Sequence, residues 1–107
     1  MNIRLLTTRR KIIIRHQNNL TSKNLAKDLK NMLEKNLQNI YIEMYEIKYI
    51  PLLRIRDNLS FNYHEFTKEE IVKILEICEK IARTYSKEVC IAVNEKEITI
   101  LFTDIKT

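Results

Sequence analysis

The chain has 107 residues, 45% hydrophobic and 31% charged, which is enough apolar material for one folded domain and too little length for two. Its net charge of +5 is unevenly placed: residues 1–56 carry 12 Lys+Arg against 4 Asp+Glu, and residues 57–107 carry 7 against 10. Glycine is absent, which excludes Gly-rich phosphate loops, the dinucleotide fingerprint and the nucleophile elbow, because each needs backbone angles that only glycine adopts cheaply.

Residues 2–6 and 11–16 read as strands that can pair as a hairpin around Thr7-Thr8-Arg9-Arg10. The β-branched run Ile12-Ile13-Ile14 favours a strand over the amphipathic helix of a targeting peptide. A helix follows Thr21-Ser22, with Leu25, Leu29, Met32, Leu33 and Leu37 on its buried side and Lys23, Lys27 and Lys30 outside. Residues 40–47 alternate as a strand, with Tyr41, Glu43 and Tyr45 on one side and Ile40, Ile42 and Met44 on the other. Strands 52–56 and 59–63 follow, separated by a turn at Asp57-Asn58, and Pro51 marks a turn or an edge-strand break.

The second helix has the clearer signature. Thr67 caps it, Glu70 completes a capping box, and Phe66 staples onto Ile71. Its apolar stripe is Ile71, Ile74, Leu75, Cys78, Ile81, Ala82 and Tyr85. Glu69/Lys73, Glu76/Lys80 and Glu79/Arg83 are i,i+4 pairs that neutralise the outer face. Residues 89–93 and 98–103 then alternate around Asn94-Glu95-Lys96-Glu97 as a hairpin.

This order predicts an α+β fold in which two helices pack on one face of a mainly antiparallel sheet. The expected core is ferredoxin-like (split βαβ), with extra N- and C-terminal hairpin strands, and residues 1–107 form a single domain. No apolar run is long enough to span a bilayer, so a soluble, cytoplasmic protein is expected, with Cys78 and Cys90 as reduced thiols. No Cys-x-x-Cys and no i,i+4 His pair is present, so no metal and no cofactor is expected.

The partner class follows from charge. Arg4, Arg9, Arg10, Lys11, Arg15, Lys23 and Lys27 all precede the first acidic residue, Asp28. Such a concentration of cations attracts polyanions, and nucleic acid, RNA above DNA, is the expected partner. Arg9, Arg10 and Lys11 at the hairpin tip, Arg15 along its strand, and Lys23, Lys27 and Lys30 on the helix are the candidate phosphate contacts. Tyr41 and Tyr45 on an open sheet face, with Arg54 and Arg56, are the candidate base-stacking groups. The alternative is a protein-interaction or assembly subunit that forms a homo-oligomer through the same open face. A small ribonuclease using His16 or His64 ranks third. No motif names a reaction, so a non-catalytic binding module is the leading expectation.

Overall fold

The computed structural model describes residues 10–48, 65–94 and 97–105. In chain order these form β1 (Arg10–Gln17), α1 (Leu20–Asn36), β2 (Ile40–Ile47), α2 (Lys68–Tyr85), β3 (Lys87–Val93) and β4 (Glu97–Asp104). The strands make one sheet in the order β2-β1-β4-β3. β1 runs parallel to both β2 and β4, and β3 is antiparallel to β4. The described residues therefore make an α+β fold with two helices and a mixed sheet. The predicted strands at 2–6, 52–56 and 59–63, and the N-terminal hairpin with them, lie outside the described residues.

The mainly antiparallel pairing expected from the sequence gives way to two parallel pairings and one antiparallel. Helix length explains the first: α1 rises about 25 Å over its 17 residues. That nearly matches the roughly 26 Å length of an eight-residue strand, so the chain returns to the starting edge and β2 runs beside β1 in the same direction.

Burial separates the strands into two kinds. In β1 the consecutive residues Ile12, Ile13 and Ile14 are all buried, and in β4 all five from Ile98 to Phe102 are. Strands buried on both faces belong at the centre of a sheet, where these two sit. β3 instead alternates half-buried with exposed residues and β2 is partly exposed throughout, as edge strands do. Ile12, Ile14, Ile98, Ile100 and Phe102 face the helices. They form the core with Leu25, Ala26, Leu29, Leu33 and Leu37 from α1 and its C-cap, and Ile74, Ile77, Cys78, Ile81 and Ala82 from α2. Both helices thus cover one sheet face. Lys11, Ile13 and Arg15, with their register partners, define the far face.

α1 begins at Leu20, ahead of the Thr21-Ser22 start expected from sequence, because Asn19 is the cap: its side-chain oxygen accepts from the Ser22 backbone N–H at 2.8 Å. In α2 the capping box is present, with Glu70 N–H donating to Thr67 Oγ1 at 3.1 Å and Thr67 N–H donating to Glu70 Oε1 at 2.9 Å. Phe66, the stapling residue, is buried in the core against which Ile71 packs. Thr67→Ala removes one half of the box and is expected to cost about 1 kcal/mol, measured as a lower urea midpoint at unchanged m-value.

The apolar stripe of α2 is rotated slightly from its sequence reading. Ile77 is buried and Leu75 is exposed, because the helix also packs against α1 and so buries the flank that carries Ile77. None of the pairs Glu69/Lys73, Glu76/Lys80 and Glu79/Arg83 closes into an ion pair. α2 ends at Ser86 in the left-handed conformation (φ 54°), where a glycine is usual; the chain has none, and a non-glycine residue there costs roughly 1–2 kcal/mol.

Candidate nucleic-acid interface

Strand geometry divides the basic tract. Successive side chains point to opposite faces, so Arg10 joins Ile12 and Ile14 on the helix side, and Lys11 joins Ile13 and Arg15 on the far side. Arg10 is fully engaged inside the fold. Its guanidinium pairs with Glu70 Oε1 at 2.5 Å, donates to the Gln38 carbonyl at 2.5 Å and the Glu65 carbonyl at 3.3 Å, and lies 4.9 Å from the Phe66 ring centre. Those contacts tie the start of β1 to the entry of α2 and to the connection before β2. No acidic residue is near Arg10 in sequence, but the fold brings Glu70 to it from 60 positions away. Arg9, Arg54, Arg56 and His64 lie outside the described residues.

Lys11 also has an acidic neighbour, Glu43 on β2, at 3.3 Å. Arg15 makes no ion pair among the described residues. In the register Lys11 stands opposite Tyr41 and Arg15 opposite Tyr45. Both tyrosines face away from the helices as expected, 44% and 49% exposed. Each aromatic ring on the far face of β2 therefore has a cation beside it on β1. The Tyr45 hydroxyl donates to Glu43 Oε2. That hydrogen bond, together with Lys11, holds the Glu43 carboxyl below its ordinary 4.5 against the opposing effect of burial, and it raises the Tyr45 phenol above its ordinary 10.

The rest of the far face has a different character. β4 and β3 place Glu97, Thr99, Leu101 and Thr103 beside Glu88, Cys90 and Ala92. The middle of the face is apolar and already buried, with Ile13 at 7% and Leu101 at 1% exposure. Lys11 and Arg15 outnumber Glu43 on the β2/β1 half, and Glu88 and Glu97 make the β4/β3 half acidic.

Lys23, Lys27 and Lys30 occupy another surface. They form one stripe of α1, with Lys23 and Lys27 exposed and Lys30 half-buried, on the flank away from Asp28, which accepts a hydrogen bond from Tyr85 of α2. The structure thus splits the expected cations among three places: Arg10 within the fold, Lys11 and Arg15 with the tyrosines, and three lysines across the sheet. Counted over the described residues, 13 Lys+Arg oppose 12 Asp+Glu, so most of the +5 belongs to residues outside them.

His16 lies half-buried on the helix side, with Nδ1 3.0 Å from the Gln17 carbonyl. The cavity beside it, lined by Ser22, Lys87 and Asp104 among others, is about 10 Å3, which admits one water and not a nucleotide. Among the described residues there is no cluster of three His, Cys, Asp or Glu able to hold a metal, and no helix long and apolar enough to cross a membrane. Both cysteines are free: Cys78 is in the core, where burial pushes its thiol up to about 12, and Cys90 is exposed on the far face.

The feature that sequence reasoning missed is Glu43 as the hub joining Lys11 to Tyr45. Its alternation with the two tyrosines was legible, but its link to Lys11 depends on the β1–β2 register. Comparison with known proteins finds no family model, no curated protein and no solved structure that matches this chain.

Proposed function

We propose that the protein is a small nucleic-acid-binding module, RNA favoured, that binds a single strand along the β2/β1 half of the far face. One observation carries the reading: the register sets Lys11 beside Tyr41 and Arg15 beside Tyr45. Exposed rings offer stacking surfaces that any base can use, and adjacent cations reach the phosphates that link those bases. The cavity beside His16 is about 10 Å3, too small for a nucleotide, so the reading gives His16 no part in it.

The test is fluorescence anisotropy of a labelled single-stranded oligonucleotide across a salt series. Tyr41→Ala and Tyr45→Ala are each expected to weaken binding about tenfold, within the range measured for loss of one stacked base. Lys11→Ala and Arg15→Ala are expected to flatten the salt slope by about 0.7 each. Undetectable or salt-independent binding rules the reading out.

The division of charge on the far face favours one second reading, a homodimer through that face. A two-fold axis parallel to the strands sets the β2/β1 half of one copy over the acidic β4/β3 half of the other. Against it, Ile13, Thr99 and Leu101 are already buried, so a partner covers little additional apolar area at the centre. A molecular-mass measurement in solution at low and high salt separates the two: a salt-sensitive dimer with no affinity for single strands supports the second reading.

A further inference from the structure

Glu43 stands between Tyr41 and Tyr45 on the same face of β2. A carboxylate in the middle of a phosphate-binding track repels the backbone, so the group of a bound strand that meets it is a hydrogen-bond donor and not a phosphate. Its side chain is 20% exposed and fixed from two sides, by the Tyr45 hydroxyl on Oε2 and by Lys11 Nζ at 3.3 Å from Oε1. Each of these contacts uses one lone pair, and each oxygen has another. An ionised carboxylate accepts hydrogen bonds and donates none.

Spacing supplies the rest. The two tyrosines are four residues apart in a strand, about 13 Å. Adjacent nucleotides in a stacked strand rise only about 3.4 Å. An extended strand with one nucleotide between the two rings spans that distance in two steps of about 6.5 Å, and the base edge of that nucleotide then falls at Glu43. We propose that Glu43 reads that edge. It accepts from N–H groups and so favours guanine, with its two adjacent donors, over uracil, whose single N–H lies between two carbonyl oxygens. This inference rests on the single-strand reading above and adds base selectivity to it.

The experiment compares a short oligouridine with the same strand carrying one central guanosine, by anisotropy at low salt. The natural protein is expected to bind the guanosine strand about tenfold more tightly, as one well-placed pair of hydrogen bonds discriminates. In Glu43→Gln, which keeps the shape but offers its own N–H donors, the preference is expected to fall below about twofold. Tyr45→Phe keeps the ring and removes the hydroxyl that fixes Glu43, so it is expected to weaken the guanosine preference. Equal binding of both strands by the natural protein, or a preference that survives Glu43→Gln, overturns the role of Glu43 and leaves the binding reading standing. Failure to bind either strand overturns the binding reading itself.

Discussion

Arg10→Ala is expected to destabilise the fold by about 3 kcal/mol, from the loss of charge-assisted hydrogen bonds, a partly buried ion pair and a cation–π contact together. Arg10 and Glu70 keep only 18% and 21% of their side-chain surface exposed, so solvent does not replace the pair fully. The substitution strips four contacts at once and leaves the Glu70 carboxylate beside an emptied site at the entry of α2. Arg10→Lys is expected to recover less than half of the loss, because an ammonium cannot span Glu70, the Gln38 carbonyl and the Phe66 ring with one planar group.

The same pair sets an acid limit. Glu70 is held below its ordinary 4.5 chiefly by the hydrogen bond from Arg10, with Thr67 assisting and burial opposing. A carboxyl group whose value is lower in the folded state contributes stability that is complete above its unfolded value and lost as pH falls through the folded one. Urea unfolding of the natural protein and of Arg10→Ala should therefore differ fully at neutral pH, and the gap should narrow as pH drops below about 4.5 to the part that the carbonyls and Phe66 supply. A gap that persists unchanged into acid would mean that Arg10 acts through the carbonyls and Phe66 alone.

The second large effect lies in the core. Leu29 is completely buried in α1, in one cluster with Ile12 and Ile14 of β1 and Ile74, Ile77 and Ile81 of α2. Leu29→Ala is expected to cost about 3 kcal/mol, the usual sum of lost transfer energy and an unfilled cavity. Leu20 is a control on the same helix. It is 75% exposed, and Leu20→Ala is expected to change stability by no more than about 0.5 kcal/mol. Equal losses at the two positions would mean that α1 does not pack as described.

Features set by near neighbours were legible in the sequence. The Thr67–Glu70 capping box and the hairpin of β3 and β4 depend on residues a few positions apart, and both are present; the expected alternation of 40–47 is not kept in burial, since Met44 is exposed with the tyrosines. Partners and directions were not. Alternation says which side a residue faces but not which strand lies beside it, so the parallel pairing of β1 with β2 and β4 escaped the reading. One clue was available: three consecutive buried isoleucines mark a strand covered on both faces, and such strands favour parallel, central positions. The basic tract is divided for the same reason. Counting charge along the chain treats Arg9-Arg10-Lys11 as one cluster, whereas strand geometry sends Arg10 and Lys11 apart and distant acids meet each. Tyr41 and Tyr45 are exposed as their spacing predicts, but so is Met44 of the opposite set, because β2 is partly exposed throughout.

The order of the strands also governs when the protein can be completed. Lys11 on β1 is paired with Glu97 on β4, 86 positions later in the chain (11 to 97). During synthesis β1, α1 and β2 emerge early and can assemble locally, but the central strand that closes the core, β4, is the last of the described strands to arrive. Until then one edge of β1 is an unpaired template and the isoleucines beside it lack their cover. Closure of the sheet is thus a late, non-local event, which slows folding relative to a fold built from neighbouring hairpins. A chain cut short before residue 97 lacks the central strand that β1 and β3 both pair with.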